Sequence, residues 1–227
     1  FCGNTIIPGE ATFTYFLIYP VSAFAESDNL VRLIFSEVPD VLSAQNVLNY
    51  SLNNGMGSPL RATRHQTNQN EVFLEFSGEM QQKQNYTLQV QNIMDLDGNS
   101  MKPAQLTFTW FRPGSNELII NEILFNPRPG GADFVEIYNK SGFPVDVSKL
   151  SLARRNEMQE IESVKNLSAK NMILAPYHFM AITPDTSRIK NDYPDISYGT
   201  FLQLPSMPAF NDDKGTVVLL HGEIILD

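Results

Sequence analysis

Between residues 21 and 111 apolar and polar positions alternate with a period of two. Val31, Leu33 and Phe35 are interleaved with Arg32, Ile34 and Ser36, and Val72, Leu74 and Phe76 with Phe73 and Glu75. Tyr86, Leu88 and Val90 are likewise interleaved with Thr87 and Gln89. This alternation predicts strands with one buried face. Turn-forming clusters at 26–29, 53–57, 67–70 and 95–99 separate them. Short strands broken at this rhythm favour an antiparallel sandwich over a parallel α/β fold. No segment keeps helical spacing, although residues 42–48 have room for one turn.

A Pro/Gly linker, Arg112-Pro113-Gly114-Ser115-Asn116, precedes a second set of strand patterns. Residues 117–126 (ELIINEILFN) and 133–139 (DFVEIYN) read as two strands joined through Pro127-Arg128-Pro129-Gly130-Gly131. Further apolar runs lie at 145–152, 172–176, 179–182 and 212–220.

The first residues repeat a later stretch. Gly3-Asn4-Thr5 matches Gly98-Asn99-Ser100, Pro8 matches Pro103, and Thr12-Phe13-Thr14-Tyr15-Phe16 matches Thr107-Phe108-Thr109-Trp110-Phe111, all at an offset of 95 residues. That period is the size of one immunoglobulin-like sandwich, so residues 1–19 read as the last strand of a preceding repeat plus a linker. The expected domains are therefore 20–113 and 114–227. The strand starting at Gly222 stops early, which suggests that the second module lacks its last strand.

The 227 residues suffice for two cores, and a hydrophobic content of 42% is that of a globular chain. The net charge of −9 repels phosphate backbones, and no Lys/Arg run alternates with aromatics. Nucleic acid is therefore not an expected partner. Cys2 is the single cysteine, so no internal disulfide forms; it occupies the position of Asp97 in the other copy, a turn position. Tyr15 to Ala25 imitates a secretion signal, but no basic residue precedes it and its first residues belong to the repeated strand. Pro20 also interrupts it, and no membrane insertion is expected.

Several blocks in residues 20–113 resemble the bacterial Ig-like domain of surface-layer and cell-envelope proteins. They are Val31-Arg32-Leu33-Ile34-Phe35-Ser36-Glu37, Asn49-Tyr50-Ser51-Leu52, Asn85-Tyr86-Thr87-Leu88-Gln89-Val90 and Asp95-Leu96-Asp97-Gly98-Asn99. Val38-Pro39 departs from that family, which more often has Pro then a hydrophobic residue. The later block Ile120-Asn121-Glu122-Ile123, Asn126-Pro127, Phe134-Val135-Glu136-Ile137-Tyr138-Asn139 resembles the lamin tail domain, another Ig-like sandwich. Ile173-Leu174-Ala175-Pro176 and Asp213-Lys214-Gly215-Thr216-Val217-Val218-Leu219-Leu220 add to that likeness. Tyr177 departs from it: the family usually has Gly there, so the turn must accept a side chain.

Candidate chemistry is sparse. Asp95, Asp97 and Asn99 suggest a calcium loop, but Gly98 is fourth rather than sixth and no Glu follows at the twelfth position. The shared Gly-Asn suits a tight turn. Glu122 and Glu136 sit inside apolar strands expected to be neighbours, an arrangement able to share a proton or hold a metal. Alternation instead directs them outward, with Ile123, Phe125, Val135 and Ile137 facing the core. His65, His178 and His221 lack ligand spacing. Phe13, Tyr15, Phe108, Trp110 and Phe111 offer a sugar-stacking platform, but the alternating Thr107 and Thr109 mark a core-facing strand. Four glycosylation-type triplets begin at Asn49, Asn85, Asn139 and Asn166, as expected by chance in an Asn-rich chain. Tyr50 and Tyr86 each have a ring to bury and a hydroxyl to fasten a strand end.

The sequence thus predicts an all-β chain of two tandem immunoglobulin-like β-sandwiches, with no catalytic, metal-binding or cofactor-binding residues. The resemblances imply a structural, adhesive or ligand-presenting module of a secreted or surface bacterial protein, joined to further domains. A protein or glycan is the expected partner, and the location is extracytoplasmic. The alternative is an accessory substrate-binding region of a secreted hydrolase.

Overall fold

The computed structural model describes residues 17–167, 172–194, 200–209 and 215–227. The repeat copy in residues 1–16, including Cys2, Phe13 and Tyr15, lies outside them, as do residues 212–214 of the expected last hairpin. The chain forms two compact units that divide between Trp110 and Phe111.

In the first unit β1 (Pro20–Ala25), β2 (Leu30–Phe35), α1 (Val41–Ala44), β3 (Tyr50–Leu52), β4 (Arg61–Arg64), β5 (Glu71–Glu75), β6 (Gln84–Val90) and β7 (Ala104–Trp110) follow in order. They form a four-stranded sheet, β1-β2-β5-β4, and a three-stranded sheet, β3-β6-β7, antiparallel throughout. The alternation places Val31, Leu33 and Phe35 of β2 opposite Val72 and Leu74 of β5, with Tyr86, Leu88 and Val90 supplying the other inner face. All are essentially inaccessible to water, each apolar side chain adding about 1.5–3 kcal/mol by burial.

Polar groups close the ends of this sandwich. Tyr50 donates its hydroxyl to the Ala44 carbonyl at 2.7 Å, and burial raises its pKa. The Tyr86 hydroxyl accepts the Gln81 amide at 2.7 Å. Asp40 caps α1 by accepting the Ser43 amide, and Asn46 similarly caps a 3₁₀ turn at Val47–Asn49.

The second unit contains β8 (Leu118–Leu124), β9 (Phe134–Asn139), β10 (Val145–Asp146), β11 (Leu150–Arg155), β12 (Ile161–Asn166), β13 (Ile173–Leu174), β14 (Phe179–Thr183), α2 (Thr186–Asp192), β15 (Thr200–Gln203), β16 (Thr216–His221) and β17 (Ile224–Ile225). One sheet has the order β15-β14-β9-β8, with β15 parallel to β14; the other has the order β12-β11-β16-β17. The main core lies between them, built from Leu118, Val135, Ile137, Leu150, Leu152, Met180, Ile182 and Leu219. On the far side of the first sheet, α2 lays Ile189 over Phe134 and Ala132.

The second unit departs from simple alternation in several places. Residues 145–152 do not form one strand: Asp146 accepts the Ser148 amide and caps a 3₁₀ turn at Val147–Lys149. Asn121 is an extra residue between the Ile120–Ile137 and Glu122–Glu136 pairs, so β8 is bulged. Ile120 and Ile123 reach the main core, Leu124 reaches the α2 side, and Phe125 lies past the strand end. Alternation along β8 therefore does not set the direction of Phe125. A second bulge in β12 includes Ser163 with φ of 54°, a left-handed conformation. Tyr177 also adopts positive φ, at 60°, so the turn that lacks the customary glycine keeps glycine's conformation with an exposed tyrosine.

Candidate functional site

The candidates are dispersed, and the structure assigns most of them to holding backbone in place. Asp95 is the clearest case. Its Oδ1 accepts the amides of Asp97 (2.9 Å) and Asn99 (2.8 Å), and its Oδ2 accepts the Asn99 side-chain amide at 2.9 Å. These donors, the Asn99 side chain foremost, lower the carboxyl pKa. A carboxylate with both oxygens turned into its own loop staples a turn, and Gly98 with φ of 85° completes it. No group of three or more His, Cys, Asp or Glu side chains is placed to hold a metal among the described residues.

Glu122 and Glu136 are brought directly opposite each other on β8 and β9. Glu122 is exposed, Glu136 is half-buried, and Glu136 accepts the Asn121 side-chain amide at 2.7 Å. Both lie on the face away from the main core, beside Tyr138, whose ring stacks on that of Phe179 with centroids 4.4 Å apart. The bulge residue therefore supplies a neutral donor to one of two like charges set side by side.

The aromatic series divides. Trp110 is buried and Phe108 packs on the first core, stacked on Tyr86. Phe111 does not extend that row: its ring lies 5.1 Å from Phe143, against the core of the second unit. A sugar platform running from Phe108 to Phe111 is thus absent from the described structure.

The histidines remain apart. His65 Nδ1 accepts the amides of Thr67 and Asn68, and His178 Nδ1 lies 2.7 Å from the Pro176 carbonyl, which makes that nitrogen a donor. His221 is the unusual one. Among the described residues its Nδ1 is buried without a hydrogen-bond partner. Burial, then the positive charges of Arg112 and Lys149, lower its pKa below the ordinary value. The sign follows: below about pH 6.5 the unfolded chain takes up a proton that the folded unit resists. The second unit is therefore expected to lose stability as pH falls from 7.5 through 6.5 towards the lowered pKa. His221→Gln should remove that part of the pH dependence in thermal unfolding between pH 7.5 and 5.5.

Of the glycosylation triplets, Asn49 and Asn139 are buried and internally bonded. Asn139 is a structural centre that sequence reasoning missed. Its Nδ2 faces the carbonyls of Phe143 (2.7 Å), Leu174 (3.1 Å) and Ala175 (3.1 Å), while its Oδ1 accepts from the Ser141 amide and hydroxyl. Its only sequence-level sign is an Asn closing a strand before Ser-Gly.

An open cleft lies between the 126–131 loop and the end of α2, lined by Leu124, Asn126, Arg128, Asp192 and Tyr193. Arg128 pairs with Asp192 across it. Gly131 is required there, because a β-carbon would lie 2.9 Å from Pro127 Cβ.

Packed β-sheets with polar staples at their ends define an all-β, immunoglobulin-like fold. Residues 19–110 match the bacterial Ig-like domain family. Two solved structures are similar to the chain: the N-terminal part of the bacterial S-layer protein SbsC (15% identity, TM-score 0.44) and the S-layer protein rSbsC(31-844) (13% identity, TM-score 0.41). The chain is covered over 70% and 71% of its length, and spans 39% and 26% of those proteins. No curated protein matches it. No described helix is long and apolar enough to cross a membrane.

Proposed function

We propose that the chain is a non-catalytic structural or ligand-presenting segment of a bacterial multidomain surface protein, with a first domain at 20–113 and a lamin-tail-like second domain at 114–227. The match of residues 19–110 to the bacterial Ig-like domain carries this reading. It is supported by the way Asp95, Tyr50, Tyr86 and Asn139 spend their polar groups on backbone, leaving them as fasteners rather than reactants. The Ile120-to-Asn139 block supports the second assignment. In this role the sandwiches hold their ends apart at a fixed separation and offer faces to a protein or glycan.

The test has two readouts. Intact cells carrying the full-length protein are treated with a membrane-impermeant amine reagent, and the purified chain is assayed on generic ester, phosphate and glycoside substrates. Labelling of this segment without lysis and no turnover are expected. Labelling only after lysis refutes the surface location. Turnover lost in Glu122→Gln or Glu136→Gln, with the fold intact, makes the segment an enzyme.

A further inference from the structure

The two sheets of the first unit present different outer faces. That of β1-β2-β5-β4 carries ion pairs, of Arg32 with Glu26 and Glu71 and of Arg61 with Glu75. The outward positions of β3-β6-β7 carry no charge. Ser51, Gln89 and Gln105 stand in one row across the three strands, Thr87 and Thr107 in the next, and Asn85 and Thr109 in the third. All of them are exposed or half-buried, in a chain whose net charge is −9.

The third row is satisfied internally, since the Thr109 hydroxyl donates to Asn85 Oδ1 at 2.6 Å. The first row is not. Beside it lies an open cleft of about 260 Å³, lined by Gln89, Val90, Gln91, Pro103, Ala104 and Gln105. Among the described residues the side-chain amides of Gln89, Gln91 and Gln105 make no hydrogen bond. Three primary amides thus line one opening, each with an acceptor oxygen and two N–H donors. Pro103 and Ala104 add an apolar side.

We propose that this cleft takes one ring of a neutral glycan, with the glutamine amides bonded to its hydroxyls and Pro103 against its C–H face. The inference rests on the ligand-presenting role proposed above, and adds the ligand class and the face. Sugar hydroxyls donate and accept, as primary amides do, so both partners are satisfied without an ion. A phosphate or uronate polymer brings charge that no lining side chain neutralises, and stripping its water is costly. Lys102 precedes Pro103 and is exposed, but it does not line the cleft. Size agrees: the cleft falls just below the roughly 300–1,000 Å³ of sites for drug-sized ligands, which suits a single ring. A strand from a second copy fits less well, because Pro103 has no amide to offer at the start of β7.

The test is a titration of the isotope-labelled full 227-residue protein, followed by nuclear magnetic resonance of its side-chain amides. The probes are cellotetraose, maltotetraose and chitotetraose as neutral chains, with polygalacturonate as the anionic control. At least one neutral chain should shift the Gln89, Gln91 and Gln105 amides saturably, at about millimolar affinity, and added salt should leave that affinity unchanged. Gln89→Ala combined with Gln105→Ala should weaken it at least about tenfold, while Trp110 fluorescence checks that the first unit stays folded. No shift with any neutral chain overturns the proposal. So do shifts with polygalacturonate alone that fade with salt, which assign the site to Lys102. Shifts that appear on concentrating the protein without sugar also overturn it, because they assign the face to a second copy. Sugar-induced shifts confined to the second unit overturn the glutamine site but leave the ligand-presenting role standing.

Discussion

Asn139→Ala is expected to unfold the second unit under conditions where the first stays folded. The side chain is wholly buried and satisfies carbonyls from three residues while accepting two donors from Ser141. Truncation strands these groups in a space that alanine cannot fill. Each buried polar group left unpaired costs about 1–3 kcal/mol, so with partial relaxation the loss is about 4 kcal/mol. Such a loss is a large fraction of the stability of one domain. The measurement is urea unfolding followed by two signals. Trp110 is the single tryptophan and belongs to the first core, so its fluorescence transition should stay in place. The far-ultraviolet circular dichroism transition should split, with one component at markedly lower urea. A shift of both together would contradict the assignment of Asn139 to the second unit alone.

Arg32→Met should produce the corresponding loss in the first unit. Arg32 is 9% exposed on the outer face of β2, with its guanidinium over the Phe24 ring, 2.6 Å from Glu26 and 3.8 Å from Glu71. Both glutamate side chains are nearly as buried as the arginine. Methionine replaces the aliphatic stem but leaves two carboxylates without their cation. Breaking a buried pair from one side costs about 3 kcal/mol or more. Here the Trp110 transition moves and the second unit does not. Adding Glu26→Gln and Glu71→Gln should recover part of the loss, because the uncompensated charges are removed with it. A triple variant as unstable as Arg32→Met would mean that packing of the guanidinium, rather than charge, holds this face together.

The alternation in β2, β5 and β6 made the first unit legible, because each strand there has one wet and one dry face. The same logic fails where both faces are covered or neither is. β12 carries no alternation because its positions are mostly exposed, and α2 no helical stripe because its seven residues bury only Ile189. In the sequence Asn139 is one member of a strand motif, but its role depends on Leu174 and Ala175, more than thirty residues away. Phe111 falls in with Phe108 and Trp110 in the sequence because alternation cannot mark where one core ends and the next begins. Asn121 illustrates a different limit. A one-residue bulge leaves no mark on composition, yet it decides which apolar residues of β8 serve which core.

The bulge in β12 also governs whether another strand can add to that edge. β12 forms one margin of its sheet, and Ile161 and Val164 protrude from it, the ingredients of a sticky edge. The left-handed turn of the backbone at Ser163 breaks the even row of amides and carbonyls that an incoming strand would need. Glu160, Glu162 and Lys165 are spaced along the same margin. An incoming strand therefore meets a crooked, charged border along β12 instead of a straight template.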